Sequence, residues 1–269
     1  MARARFAALV LPLALLPCPA HAEVVRFGMD TRTVPWVFIP GLDYADEDMQ
    51  APPQVGEAQI AKAQGYEIEL LRLLAKQLDV EARIVPAAWF ALERDLLAKR
   101  FDVILSSWTP SMTTPDTILA SVPYLDWGLV LVVRADDLRV RRFADLEGLR
   151  VGHLRDPAVL SALRAMGSGQ FQSFEDGDRA MAGLKAGAYD AIIYDSFYVR
   201  WRLSRDASFR IVGEPLNRLG YHAGVRREDA SLLRRLDAAI RALQESGELR
   251  TLREAWEGPP GARGAAKGR

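Results

Sequence analysis

The sequence predicts an α/β fold built as two lobes that face one another, and three observations predict it. Helix-period segments alternate with short apolar strands along most of the chain, the grammar of βαβ units. The pattern also repeats. Phe101-Asp102-Val103-Ile104-Leu105-Ser106 and Tyr189-Asp190-Ala191-Ile192-Ile193-Tyr194 share one form: an aromatic, an aspartate, an apolar run, and a polar group where the strand ends. Finally, the composition is 49% hydrophobic, enough for a sizeable core, yet no stretch approaches the ~20 apolar residues of a membrane helix.

The chain opens with a secretory signal peptide, expected over 1–22. Arg3 and Arg5 form its basic end, 6–16 its apolar run, and Ala20-His21-Ala22 a small-residue cleavage site before Glu23. The single cysteine, Cys18, lies inside this segment, and Pro17 before it fits lipidation poorly. The mature part, about 245 residues, fits one large domain or two small ones. Its expected compartment is the periplasm.

A first strand over 24–28 delivers Met29 and Asp30 to its carboxyl end, and Val34-Pro35-Trp36 breaks the pattern. The segment 41–63 carries Asp43, Asp46, Glu47, Asp48 and Pro52-Pro53 with little periodicity, and reads as a solvated loop insertion. Its acids lack the turn glycine and terminal glutamate of an EF-hand calcium loop. Ile68, Leu71, Leu74, Ala75 and Leu78 then mark a helix, 82–85 a strand, and 89–99 a second amphipathic segment. The apolar strand 103–105 runs directly into Ser106, Ser107 and Thr109. In open α/β sheets ligands collect beyond such strand ends.

In the second half, strands are expected at 127–134, 150–153 and 189–195, a helix over 158–166, and a capping turn at 174–178 before an amphipathic segment over 179–186. Two further strands, 209–214 and 221–226, precede a helix over 229–244 whose apolar face is Leu232, Leu233, Leu236, Ala239, Ile240 and Leu243. Gly247 ends it, 249–256 forms a last short helix, and the tail 258–269 is too poor in apolar side chains to order itself.

Charge and motif narrow the function. The 35 basic and 35 acidic residues balance, so there is no bulk electrostatic case for nucleic acid or an anionic membrane. His153 and His222 lack the partner spacing of a metal site. No Gly-rich phosphate loop or nucleophile–base pair is visible, so neither cofactor nor metal is expected. Arg139, Arg141, Arg142, Arg226, Arg227, Arg234 and Arg235 read as solvated faces.

Taken together, the strand ending at Asp30, the Gly65-Tyr66-Glu67-Ile68-Glu69-Leu70 helix start, the 101–109 stretch, Ser121-Val122-Pro123-Tyr124, Leu149-Arg150-Val151-Gly152, the 189–195 stretch and the closing 247–256 resemble, in this order, the extracellular solute-binding proteins of ABC transporters, polar amino-acid family. The resemblance covers nearly all of the mature chain. It implies the two-lobed type II periplasmic binding protein fold: lobe I from 23–126 and 226–257, lobe II from 127–225 including the hinge strands, and a ligand cleft between them. It also implies a small polar solute and a membrane permease as partners, hinge closure as the mechanism, and a monomer.

Carried over position by position, the resemblance implies that Asp30 and Asp195 receive a ligand's ammonium, that Trp36 and Trp89 sandwich the ligand, and that Ser106, Ser107 and Thr109 bind it through hydroxyls. Read alone, each aspartate is more often a helix cap, Trp89 and Trp108 are as readily core, and the hydroxyls read equally as no more than caps. The carboxylate-binding end departs from the family. Thr113 and Thr114 stand where an arginine is usual, and Asp156-Pro157-Ala158 replaces a Gly-Ser/Thr-Thr turn, so an amide donor is lost and an acid is gained. Arg155 and His153 are off the pattern. Asp30, Asp156 and Asp195 with Trp36, Trp89, Trp108, Tyr194 and Tyr198 give a cleft suited to an ammonium group through charge pairing and cation–π contact. A solute-binding role is therefore expected, not an enzyme. A periplasmic accessory or sensor protein is the alternative, and the same fold is similar to that of cyclohexadienyl dehydratase, whose carboxylate grip is missing here.

Overall fold

The computed structural model describes residues 22–42, 44, 48–111, 114–154, 163, 170–174 and 176–259. The signal segment short of Ala22, the expected 158–166 helix apart from Leu163, and the end of the tail lie outside them. Two five-stranded sheets form the two lobes, and no described helix is long and apolar enough to cross a membrane.

In the first sheet, strand β1 (Glu23–Met29) lies between β4 (Val80–Pro86) and β5 (Val103–Ile104), parallel to both. Its inward residues Val25, Phe27 and Met29 are buried. Helix α2 (Tyr66–Leu78) starts where the sequence places it, because Gly65 holds φ at 138°, a value L side chains rarely adopt. A Cβ there would also collide with the Trp36 carbonyl. Ile68, Leu71, Leu74 and Leu78 pack against the sheet as the spacing predicts. The expected loop insertion contains the four-residue α1 (Glu57–Ile60), and β2 (Arg32–Thr33) pairs with β3 (Val37–Phe38), a small hairpin that the break at Val34-Pro35 concealed. The amphipathic segment after β4 is a 3₁₀ turn, Trp89–Ala91, leading into α3 (Leu92–Leu97).

Strand β6 (Ile118–Trp127) carries the chain across, and β12 (Leu219–Arg226) brings it back, completing the order β4-β1-β5-β12-β6. The two pair antiparallel from Ile118↔Arg226 to Trp127↔Leu219, with register shifts on either side of His222. Both connecting strands therefore lie in the first sheet. Arg226, expected on a solvated face, is buried at the end of β12, where it donates to the Leu96 and Phe101 carbonyls and pairs with Asp229.

The second sheet is made of β7 (Leu129–Arg134), β8 (Arg150–Leu154), β9 (Gln170–Phe174), β10 (Ala191–Asp195) and β11 (Phe209–Val212), in the order β11-β7-β10-β8-β9. Helix α4 (Gly177–Lys185) is capped by Asp176, whose side chain accepts from the Arg179 amide, and α5 (Ser196–Leu203) by Asp195. Helices α6 (Ala230–Glu245) and α7 (Glu248–Glu257) return to cover the first sheet, separated by Gly247 at φ 79°.

The lobes also meet through packing. Phe197, at the start of α5, inserts into the first lobe's core, stacking on Trp36 at 4.4 Å and meeting Tyr66 edge-on at 5.0 Å.

Candidate ligand-binding cleft

The site assembles where the carboxyl ends of β1, β5 and β10 approach the crossover strands. From β1 comes Asp30, fully buried, with Oδ1 accepting from the Arg32 amide and Nε, and Oδ2 accepting from Arg32 Nη2 at 2.8 Å and from the Trp89 amide at 3.0 Å. Its own amide donates to Ser106 Oγ. The carboxylate that the family resemblance assigns to a ligand's ammonium is thus held by an arginine of its own chain.

From β5 comes the loop bearing Ser106, Ser107, Trp108 and Thr109. Ser107 sits at φ 43°, an αL conformation costly for a non-glycine residue, and its amide donates to Glu67 Oε1. Thr109 Oγ1 donates to the Gly220 carbonyl of β12 at 2.8 Å and accepts from Trp127 Nε1, tying this loop to both crossover strands. Trp89 Nε1 donates to the Ser106 carbonyl, leaving the indole partly exposed with Phe90 edge-on beside it.

Beneath the loop, Glu67 enters from the first turn of α2. It is fully buried, Tyr124 Oη donates to Oε1, and Oε2 has no hydrogen-bond partner. Burial pushes its carboxyl up to about 7; the bonds from Tyr124 and Ser107 oppose the shift and the charge of Asp195 adds to it. Asp195 is the corresponding acid of the second lobe. Its Oδ1 accepts from the Phe197 and Tyr198 amides, and Tyr221 of β12 donates to its Oδ2, a direct tie between lobes. Burial raises it to about 6 against those three bonds. The Tyr124 and Tyr221 rings stack at 6.4 Å, and Trp127 stacks on Tyr221 at 4.9 Å.

At the end expected to lack a carboxylate grip, Thr114 Oγ1 donates to Glu93 Oε1 at 2.7 Å, and Trp108 Nε1 donates to the same oxygen at 3.0 Å. An acid thus stands beside the position where the family pattern has an arginine.

Of the other expected site residues, Trp36 is buried against Phe197 and Tyr221 within the hinge core. The Trp108 ring is buried in the cluster of Leu92, Phe101, Ile104 and Ile118. Tyr194 is half-buried beside Tyr198, whose hydroxyl donates to Asp178. Asp156, together with Arg155, Pro157, Ala158 and Thr113, lies outside the described residues. His153 Nδ1 bonds the Leu154 carbonyl and His222 Nδ1 the Ser121 carbonyl; among the described residues no group of three His, Cys, Asp or Glu side chains could hold a metal ion.

Sequence reasoning passed over Arg32, Glu67, Glu93, Tyr124 and Tyr221 as site residues. Glu67 carried a usable signal: with Leu70, Leu71, Leu74 and Leu78 it lies on the buried stripe of α2, a position where an acid needs partners. Arg32 and Glu93 carried none, because their partners come from chain neighbours or from loops without periodicity.

Two lobes, a pair of antiparallel crossover strands and polar groups gathered between the sheets define the type II periplasmic binding protein fold. Comparison with known proteins agrees. The model for bacterial extracellular solute-binding proteins, family 3, matches residues 46–259, and the chain belongs to that family. It is 28% identical over 210 residues to the L-cystine-binding protein TcyJ of Escherichia coli, covering 77% of this chain and 79% of that one. To the L-arginine-binding protein of Pseudomonas aeruginosa it is 24% identical over 260 residues, with 93% of each covered. Among solved structures, a mutant of ArgBP from T. maritima superposes with a TM-score of 0.67 at 27% identity, covering 87% of this chain and 95% of that one. An ancestral cationic amino acid solute-binding protein reaches 0.70 at 22% identity, over 87% and 95%, a likeness of fold alone.

Proposed function

We propose that this chain is an extracytoplasmic solute-binding protein that captures a small, polar, amine-bearing solute between its lobes and delivers it to an ABC transporter permease. The relatives named for cystine and arginine binding support a ligand of amino-acid or related amine type. The observation that carries the amine is the company of the acids. Glu67, Glu93 and Asp195 are held by amide, hydroxyl and indole donors, and among the described residues no basic side chain pairs with any of them. An ammonium group would supply the missing positive charge, and the partly exposed Trp89 and Trp127 offer π faces at about 0.5–2 kcal/mol each.

Closure follows from the two ties between lobes. The Asp195–Tyr221 bond and the Trp36–Phe197 stack both adjoin crossover strand β12, so opening would turn about them and carry the rest of the second lobe away from the loop at Ser107 and Thr109. A solute bridging both sides shifts this equilibrium by its preference for the closed state. The exported location expected from the first 22 residues suits this role.

The test is titration of the mature protein, refolded to strip carried-over ligand, with amino acids paired with their decarboxylated amines. Wild type should bind the amines. Asp195→Asn keeps an oxygen for the helix cap but removes the charge, and should weaken amine binding by about 2–5 kcal/mol. Tighter binding of the amino acids than of their amines, or equal binding by the Asp195→Asn variant and wild type, would refute this reading.

A further inference from the structure

The acids around the cleft are not alike. Among the described acids of the cleft, Asp30 is the one paired with a cation of its own chain, and its carboxylate is saturated. Four donors take it: the Arg32 amide at 3.1 Å and Nε at 2.9 Å on one oxygen, Arg32 Nη2 at 2.8 Å and the Trp89 amide at 3.0 Å on the other. The two side chains are 1% and 0% exposed. The guanidinium is also held from behind. Its Nη1 donates to the Asp48 carbonyl at 3.1 Å and its Nη2 reaches the Met49 carbonyl at 3.4 Å, so the insertion before α2 pins the arginine in place. The pair nonetheless sits in the site, one residue contact from Ser106 and Trp89.

We propose that Arg32 is a built-in counter-cation that closes the first-lobe acid to solute, so that the cleft accepts a solute with one ammonium group and discriminates against a second cationic group reaching toward Asp30. The inference rests on the amine-binding reading above and names a specificity residue within it. A diffusing cation would have to displace a guanidinium that forms a planar two-point bond and is present at the high effective concentration of an intramolecular partner. Among the described residues, Glu67, Glu93 and Asp195 have no such competitor.

The experiment compares butylamine with putrescine, which differ by one terminal ammonium, on wild type, Arg32→Gln and the double variant Asp30→Asn/Arg32→Gln, by calorimetric titration with circular dichroism to confirm folding. Arg32→Gln uncovers Asp30 and should bind putrescine at least ~10-fold tighter than wild type, with butylamine changed less than ~3-fold. The double variant, with no charge to receive the second ammonium, should lose that gain. An unchanged putrescine-to-butylamine ratio in Arg32→Gln overturns the proposal, as does a gain that survives in the double variant. Arg32→Lys keeps the charge but not the fork, and serves if Arg32→Gln does not fold; a partial gain is expected and an unchanged ratio again overturns the proposal. Wild type that binds neither compound would count against the amine reading. A putrescine gain in Arg32→Gln would still support the role of Arg32.

Discussion

At the scale of single residues, Glu67 and Asp195 set how the protein responds to pH. Both carboxyls are raised, from ordinary values of 4.5 and 3.8 to about 7 and about 6, because burial disfavours their charged forms. In that interval the folded protein holds protons that the unfolded chain has released. Their contribution to stability is therefore fully present below the unfolded values and is lost as pH rises through the folded ones. Asp102, Asp137 and Asp190, lowered by neighbouring arginines, act oppositely, but at more acid pH. Urea unfolding should accordingly give a higher midpoint at about pH 5.5 than at about pH 7.5. Glu67→Gln, which can still accept from Ser107 and Tyr124, should flatten the difference. A midpoint that rises toward pH 7.5 in wild type would show that the two carboxyls do not dominate. The same geometry separates two roles of Asp195: replacement by Ala removes the cap of α5 as well as the charge, and should cost about 1 kcal/mol more stability than replacement by Asn.

Elements govern how the lobes are joined. Gly128 lies between β6 and β7, exchanges hydrogen bonds with Ser196 at the start of α5, and leaves no room for a side chain, since a Cβ would collide with the Asn217 carbonyl oxygen. Asn217 in turn holds the first amide of β7. Gly128→Ala should therefore loosen β7 and lower the melting temperature by several degrees, on the basis that ~1 kcal/mol shifts it by a few degrees in a protein of this size. A melting temperature equal to wild type would show that the crossover yields freely. Thr109→Val should remove the tie from the β5 loop to Gly220 at about 1 kcal/mol, measurable as a lowered urea midpoint. This scale was also the most legible in the sequence. Helices α2, α6 and α7 fall where apolar spacing places them, because burial on one face imposes a period, and β5 and β10 fall on the unbroken apolar runs that burial on both faces demands. The site was less legible. Ser106, Ser107, Thr109, Asp30 and Asp195 do gather near one junction, but their partners do not follow from spacing: Arg32 reaches back two residues, Tyr221 comes from 26 residues beyond Asp195, and Glu93 meets Thr114 from 21 residues away, with β5 between them. Trp108 could be read either as wall or as core and Trp36 was expected against the ligand, and tertiary packing buried both rings.

For the whole molecule, the order of strands along the chain has a consequence for biogenesis. The second sheet is built from one continuous stretch, Leu129 to Val212, whereas the first cannot close until β12 pairs with β5 and β6 from more than 90 residues upstream. Contacts of such separation are slow to form, so a chain emerging amino end first would carry β4, β1 and β5 without the strand that joins them to β6 until almost all of it had been made. The first lobe would then be the half completed last, with the final strand acting as the key that locks it.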